Sequence, residues 1–143
     1  GGDEPVAAAI REYETRAARY FRLEVISVRS APPSAGAAAP DWEAAELLRR
    51  VPEDAELVAL DPGGEIWTSA ELARYLGDLA VRSRPGAAFL IGGAHGLGRA
   101  VLERAARRWS LSRLTLPHEI ARLVVAEQIY RAGTILRGEP YHK

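Results

Sequence analysis

Residues 87–98 read AAFLIGGAHGLG, and this stretch decides the predicted fold. Its first five residues form a continuous apolar run, which is typical of a strand buried on both faces of a parallel sheet. A glycine-rich loop follows at Gly92, and a helical pattern begins after Gly98. A second apolar run, LVAL at 57–60, also ends at a glycine-rich segment, DPGG. The two runs therefore predict strands of one parallel sheet, each leaving it through a tight glycine-rich turn.

The rest of the chain alternates between helical and strand patterns. Thr68 and Glu71 carry the signature of a capping box, so a helix is expected between the two strands. Further helices are predicted over 3–21, over 41–50, after Gly98 and from Pro117 to about Gly133. Strands are predicted over 23–28 and from Trp109, where the strand runs into an exit loop ending at Leu116. A loop is predicted over 30–40. This order predicts a single α/β domain over residues 1–143 with a mainly parallel sheet.

Charge is unevenly distributed along a chain whose formal net charge is zero. Residues 1–61 carry twelve acidic residues and seven arginines, whereas residues 99–143 carry nine basic and four acidic residues. A basic end of this kind is compatible with a polyanion-binding face or with an ordinary solvated surface. The helix after Gly98 is expected to carry several arginines, namely Arg99, Arg104, Arg107 and Arg108.

Several function classes find no support in the sequence. There is no cysteine, and the three histidines, His95, His118 and His142, are not spaced as metal ligands, so no metal site is expected. The glycine-rich loop lacks the spacing of a dinucleotide fingerprint and the lysine of a P-loop. No apolar run approaches a membrane span and no signal peptide is visible, so a cytoplasmic location is expected.

Three strand exits could form one ligand pocket. They are 60–64, 92–98 and 111–117, and ligands of open α/β sheets bind at the carboxyl ends of strands. Taken singly, each exit could equally be a plain turn. His118 is most simply a residue of the turn into the last helix, and Glu127 with Arg131, four residues apart, could be a structural ion pair.

At these loops the sequence resembles the RlmH family of SPOUT methyltransferases. The resemblance is carried by LVALDPGG…W (57–67), FLIGGAHGLG (89–98), WSLSRLTLPHEIARLVVAEQIYRA (109–132) and PYHK (140–143). It implies a SPOUT-type α/β fold with helices on both faces of the sheet and a C-terminal trefoil knot. It also implies a homodimer packed through the last helix, in agreement with the apolar run 123–126.

The resemblance further implies that the three loops hold S-adenosyl-L-methionine. Carried over by position, the cofactor-binding residues are Leu60, Gly92, Leu111, Ser112, Arg113, Leu114, Thr115 and Leu116. The implied reaction is methylation of N3 of a pseudouridine in 23S rRNA of the large ribosomal subunit. His142 and Tyr141, in the tail, are the expected catalytic residues. RNA phosphates are expected to contact Arg99, Arg107, Arg108 and Lys143.

Two alternatives remain open at this point. One is a knotted dimer that binds the cofactor or RNA without turnover, and the other is a SPOUT methyltransferase acting on tRNA. The family also begins with a strand ahead of the first helix. This sequence, which contains no methionine, is expected to lack that strand.

Overall fold

A computed structural model defines the fold and describes residues 4–27, 34, 36, 39–82, 86–92 and 96–142. The helices are α1 (Glu4–Ala17), α2 (Ala39–Arg49), α3 (Ser69–Val81), α4 (Arg99–Arg104) and α5 (His118–Arg137). The strands are β1 (Leu23–Ser27), β2 (Glu56–Ile66), β3 (Ala87–Ile91) and β4 (Arg107–Ser110). A short 3-10 turn, Pro140–His142, follows α5. The predicted loop at 30–40 lies mostly outside the described residues.

The four strands form one sheet in the order β1-β3-β2-β4, and every neighbouring pair is parallel. Phe89, at the centre of β3, pairs with Val25 of β1 on one side and with Val58 of β2 on the other. All five residues of β3 are buried, as its continuous apolar sequence predicts. The predicted mainly parallel α/β sheet is confirmed, and all carboxyl ends of its strands lie at one edge.

Helices cover both faces of this sheet. On one face Phe89 and Trp109 pack against buried residues of α3 and α5, including Leu72 and Val125. On the other face Leu90 packs in a second cluster with apolar residues of α2 and α4. Burying a side chain of this size stabilises the fold by roughly 1.5–3 kcal/mol. Successive residues of a strand point alternately into the two clusters. Because both clusters are apolar, every residue of such a strand is apolar and the run is uninterrupted.

The exit predicted after Leu60 is wrong, because β2 continues to Ile66. Leu60 and Glu65 both align with Trp109 of β4, so residues 61–64 form a bulge within the strand. Gly64 closes this bulge against the neighbouring backbone. A Cβ atom placed on Gly64 would lie 2.6 Å from the carbonyl carbon of Arg108. The DPGG segment therefore bends the strand without ending it.

The boundaries of four helices also differ from the prediction. Helix α2 begins at Ala39, within the predicted loop, and ends at Arg49. Helix α4 ends at Arg104, so Arg107 and Arg108 lie on strand β4 and not on the basic helix. The chain becomes extended at Ala105, and the Ala106 N–H then donates to the Leu57 carbonyl at 2.8 Å. This pairing with β2 outweighs the helical pattern of the local sequence.

Helix α5 is longer than predicted, and α1 is shorter. Helix α5 runs to Arg137, where Gly138 adopts a left-handed conformation with φ of 68° and caps it. Helix α1 ends at Ala17 and is followed by a turn through Tyr20. Among the described residues, no helix is long and apolar enough to cross a membrane.

Candidate functional site

The bulge of β2 and the carboxyl ends of β3 and β4 open into one cleft of about 240 Å³. All three segments singled out from the sequence contribute to its walls, the first of them as a bulge within β2. The lining residues are Leu60, Asp61, Pro62, Ile91, Gly92, Gly96, Trp109, Leu111, Ser112, Arg113, Leu114, Thr115, Leu116, His118 and Ala121. The structure thus brings together all eight residues expected to bind the cofactor. We refer to this space as the strand-end cleft.

Glycine shapes the floor of the strand-end cleft. A Cβ atom on Gly92 would lie 2.6 Å from the carbonyl carbon of Gly96, so the two backbone segments touch directly. Gly96 has a φ of 71°, which side chains other than glycine rarely adopt. The three residues between, including His95, lie outside the described part of the chain. The close approach leaves backbone groups, rather than side chains, on this part of the cleft wall.

The segment 111–116 forms the opposite wall through a hydroxyl-stabilised turn. The Leu114 N–H donates to the Ser112 Oγ at 2.9 Å, and the Ser110 Oγ donates to the Ser112 carbonyl at 3.1 Å. Leu111 and Leu116 pack against the core on the α5 face of the sheet, whereas Leu114 is 74% exposed. The turn therefore fixes an apolar side chain in solvent at the cleft, where a ligand could cover it.

The chemistry of the strand-end cleft fits an adenosyl ligand. Leucine side chains can enclose an aromatic ring, and backbone groups together with the Ser112 and Thr115 hydroxyls can hydrogen-bond its polar edge. The volume is close to the lower end, about 300 Å³, of small-molecule pockets. Among the described residues, no three histidine or acidic side chains converge as a metal site.

The expected catalytic tail lies on α5 and does not line the strand-end cleft. The Tyr141 hydroxyl donates to the Glu127 carboxylate at 3.0 Å, and its ring packs on Tyr130 at 4.5 Å between centroids. Burial, with hydrogen bonds to Tyr13 and Glu127, raises the pKa of the Tyr141 phenol above its ordinary value. The backbone of His142 belongs to the same 3-10 turn. A catalytic role for either residue stays a prediction.

The ion pair between Glu127 and Arg131 is confirmed, at 2.7 Å. The same Glu127 oxygen accepts from both Arg131 and Tyr141, so the ion pair also anchors the tail. Glu127 receives a further hydrogen bond from Gln128, which is itself bonded to Ser69 at the start of α3. A hydrogen-bonded chain therefore connects α3, α5 and the tail.

The four arginine and lysine residues expected to contact RNA differ in their surroundings. Arg99 is exposed at the start of α4, and Arg108 is exposed on β4, where it donates to the Leu102 carbonyl. Arg107 is half-buried, pairs with Glu65 at 3.1 Å and lies over the Trp67 ring. Lys143 lies outside the described residues. Phosphate binding by these residues stays a prediction.

Arg107 belongs to an aromatic cluster that the sequence analysis missed. Trp67 stacks on Trp109 with centroids 5.3 Å apart and also contacts Tyr75 at 5.4 Å. Hydrogen bonding from Trp67, together with the nearby Arg107 guanidinium, holds the pKa of Glu65 below its ordinary value. Arg107 thus joins this cluster through one hydrogen bond to Glu65 and through cation–π contacts with the Trp67 and Tyr75 rings.

Comparison with known proteins identifies the family. The model of the family described as "Predicted SPOUT methyltransferase" matches residues 2–142. The chain belongs to this family. Its relatives include three proteins named ribosomal RNA large subunit methyltransferase H. The protein from Gemmatimonas aurantiaca is 56% identical over 140 residues, which cover 96% of this chain and 90% of the relative.

The other two relatives show the same extent of similarity. The protein from Rubrobacter xylanophilus is 50% identical over 141 residues, covering 95% of this chain and 89% of the relative. The protein from an Anaeromyxobacter species is 48% identical over 138 residues, covering 96% of this chain and 90% of the relative. The resemblance stated from the sequence is therefore confirmed, and this chain is a SPOUT methyltransferase.

This SPOUT methyltransferase has a second cavity that the sequence analysis also missed. It has a volume of about 300 Å³ and lies between α1 and α5, beside the end of β1. Glu14, Ser27 and Arg122 meet there through hydrogen bonds. The end of β1 was predicted, so the rule that ligands bind at strand ends could have pointed to Ser27. No sequence pattern connects that residue with Arg122.

Proposed function

We propose that this chain uses S-adenosylmethionine to methylate N3 of a pseudouridine in 23S rRNA of the large ribosomal subunit. The observation that carries the proposal is the convergence of three segments, distant in the sequence, on one cleft in a member of the SPOUT family. The names of its relatives support an rRNA of the large subunit as substrate. The proposal implies a cytoplasmic enzyme, because ribosomes are assembled there in bacteria.

The strand-end cleft would hold the cofactor. Leu60 and the leucines of 111–116 would enclose the adenine, and backbone groups at Gly92 would hydrogen-bond its edge. When bound, the sulfonium would supply an activated methyl group, with sulfur keeping the electron pair of the broken carbon–sulfur bond and the N3 proton passing to solvent. The protein's task is then to align N3 with the methyl group and to ease loss of that proton.

The trefoil knot, a single domain over residues 1–143 and the homodimer belong to the same proposal. Within one chain α5 buries Val125 and Ala126 completely but leaves Leu123 and Val124 partly exposed and Ile120 36% exposed. A second copy packed on this face would cover these apolar side chains. In such a dimer the tail with Tyr141 and His142 could reach the partner's cleft. Static light scattering should give the mass of two chains.

RNA binding would use the basic second half of the chain. Arg99 and Arg108 are exposed and could contact phosphates together with Lys143, whereas Arg107 would act mainly by holding the aromatic cluster. A zero net charge favours an assembled ribosome over free tRNA, because the docking surface can then be partly protein.

Two measurements test this function. Calorimetry should show binding of S-adenosylmethionine, and the protein should then transfer a methyl group to large subunits from a strain that lacks the modification. Mass spectrometry of the digested rRNA should identify a methylpseudouridine. Binding without transfer would favour the non-catalytic dimer, and methylation of tRNA in place of rRNA would favour the alternative substrate.

A further inference from the structure

The cavity between α1 and α5 adjoins the strand-end cleft. Ser27 ends β1 and is aligned with Ile91, which ends the neighbouring strand β3. Ile91 lines the strand-end cleft, Ser27 lines the second cavity, and His118 lines both. The two spaces therefore lie next to each other at His118, on the carboxyl edge of the sheet. Because an acceptor must meet the methyl donor at close range, the second cavity is positioned to hold it.

Arg122 is held in this cavity in a fixed orientation. Its Nε and one terminal nitrogen donate to the two carboxylate oxygens of Glu14, at 2.8 and 3.2 Å. The other terminal nitrogen donates to the Ser27 Oγ at 2.9 Å. These bonds use three of the five N–H donors of a guanidinium, so two remain for a ligand. The Arg122 side chain is only 29% exposed, which limits competition from water.

We infer that this cavity binds the acceptor base and that Arg122 hydrogen-bonds a carbonyl oxygen next to N3. The inference rests on the proposed function. As N3 loses its proton, negative charge spreads onto the two carbonyl oxygens that flank it. Fixed cationic donors at such an oxygen stabilise that charge before the methyl group is transferred. A volume of about 300 Å³ suits one flipped base, which must leave its stack to reach the donor.

Substitutions of Arg122 separate this role from cofactor binding. Arg122→Gln should leave the Kd for S-adenosylmethionine unchanged and lower single-turnover methyl transfer about 10²–10³-fold. The methyl-transfer rate of Arg122→Gln should also reach its plateau at a higher pH than the wild-type rate does, because the N3 anion is less stabilised in the variant. Arg122→Lys, which keeps the charge but not the fork, should recover part of the rate. The other titratable groups around Arg122 in this cavity are Arg11, Glu14, His118 and Glu119.

A second variant blocks the cavity without changing the ion pair. Ala7 lines the cavity from α1 and is partly exposed, so Ala7→Phe can place a ring in it. This variant should bind S-adenosylmethionine normally and transfer no methyl group. If Arg122→Gln does not fold, Ala7→Phe alone tests whether the cavity binds the acceptor base. Arg49→Gln removes an exposed arginine paired with Glu46 on α2 and should keep the wild-type rate.

Three results would overturn the inference. The first is wild-type transfer by either Ala7→Phe or Arg122→Gln in a folded state. The second is an equal loss of S-adenosylmethionine affinity, which would make the cavity part of the cofactor site. The third is dissociation of a dimer by Ala7→Phe, which would show that the cavity is a contact between subunits. If the wild-type protein itself binds no cofactor or transfers no methyl group, the proposed function fails instead.

Discussion

Replacing Gly64 by alanine should destabilise the protein at the bulge of β2. The added Cβ would lie 2.6 Å from the carbonyl carbon and oxygen of Arg108 and 2.8 Å from the Trp109 nitrogen. All three atoms belong to the backbone of β4, so no side-chain rotation can relieve the contact. Either β2 or β4 must move, and the pairing of Glu65 with Trp109 would weaken.

The expected cost follows from the size of this clash. Overpacking by one methyl group in a close-packed region typically costs about 1–3 kcal/mol. The entropy of unfolding is about 2.1 cal/mol/K per residue, which for 143 residues gives roughly 0.3 kcal/mol/K. Gly64→Ala should therefore lower Tm by about 3–10 °C. Because Leu60 to Pro62 line the strand-end cleft, S-adenosylmethionine should also bind more weakly.

The neighbouring glycine provides a matched control. A Cβ on Gly63 would lie 3.8 Å from the Asp61 carboxylate, which is an ordinary contact. Gly63→Ala should thus keep or slightly raise the wild-type Tm, since alanine restricts the unfolded chain. Calorimetric melting curves of both variants give the comparison. Equal Tm values for Gly64→Ala and Gly63→Ala would refute the assignment of residues 61–64 to a bulge closed by Gly64.

Three further predictions concern a helix cap, the cleft and alkaline stability. Thr68→Ala removes the hydroxyl that accepts the Glu71 N–H at 3.0 Å, so urea titration should show that the free energy of unfolding falls by about 1 kcal/mol. Thr68→Ser keeps a hydroxyl and should change this free energy little. Leu114→Ala should weaken S-adenosylmethionine binding with no change in Tm, because Leu114 is mostly exposed; unchanged affinity would remove it from the cofactor site. Burial raises the folded-state pKa of Tyr75 and Tyr141, so the unfolded chain loses these protons first and stability should fall as pH rises above about 10. Tyr75→Phe should reduce that fall, and an identical pH dependence would contradict the burial argument.

The elements that the sequence predicts well are those specified by local patterns. The capping box at Thr68 and Glu71 is present with both of its hydrogen bonds. The uninterrupted apolar run of β3 gives a central strand of a parallel sheet. The ends of β3 and β4 lie together because parallel strands place their carboxyl ends at one edge. Residue types and chain order were sufficient for these features.

The features that were missed depend on partners far away in the sequence. Residues 61–64 carry every signal of a turn, and only pairing with β4 makes them a bulge. Arg107 and Arg108 continue a helical pattern, but a hydrogen bond from Ala106 to Leu57 extends the chain instead. Arg122 and Ser27 are 95 residues apart, so no local rule could place them in one cavity.

The pairing of β4 with β2 also orders events during synthesis of the protein on the ribosome. Strands β1, β2 and β3 can associate while the nascent chain is still short, but β4 and the turn at 111–116 emerge later. Until that turn has left the exit tunnel, the strand-end cleft lacks one wall. A cofactor bound there would therefore stabilise only the nearly complete chain, and could neither speed nor rescue the earlier folding steps.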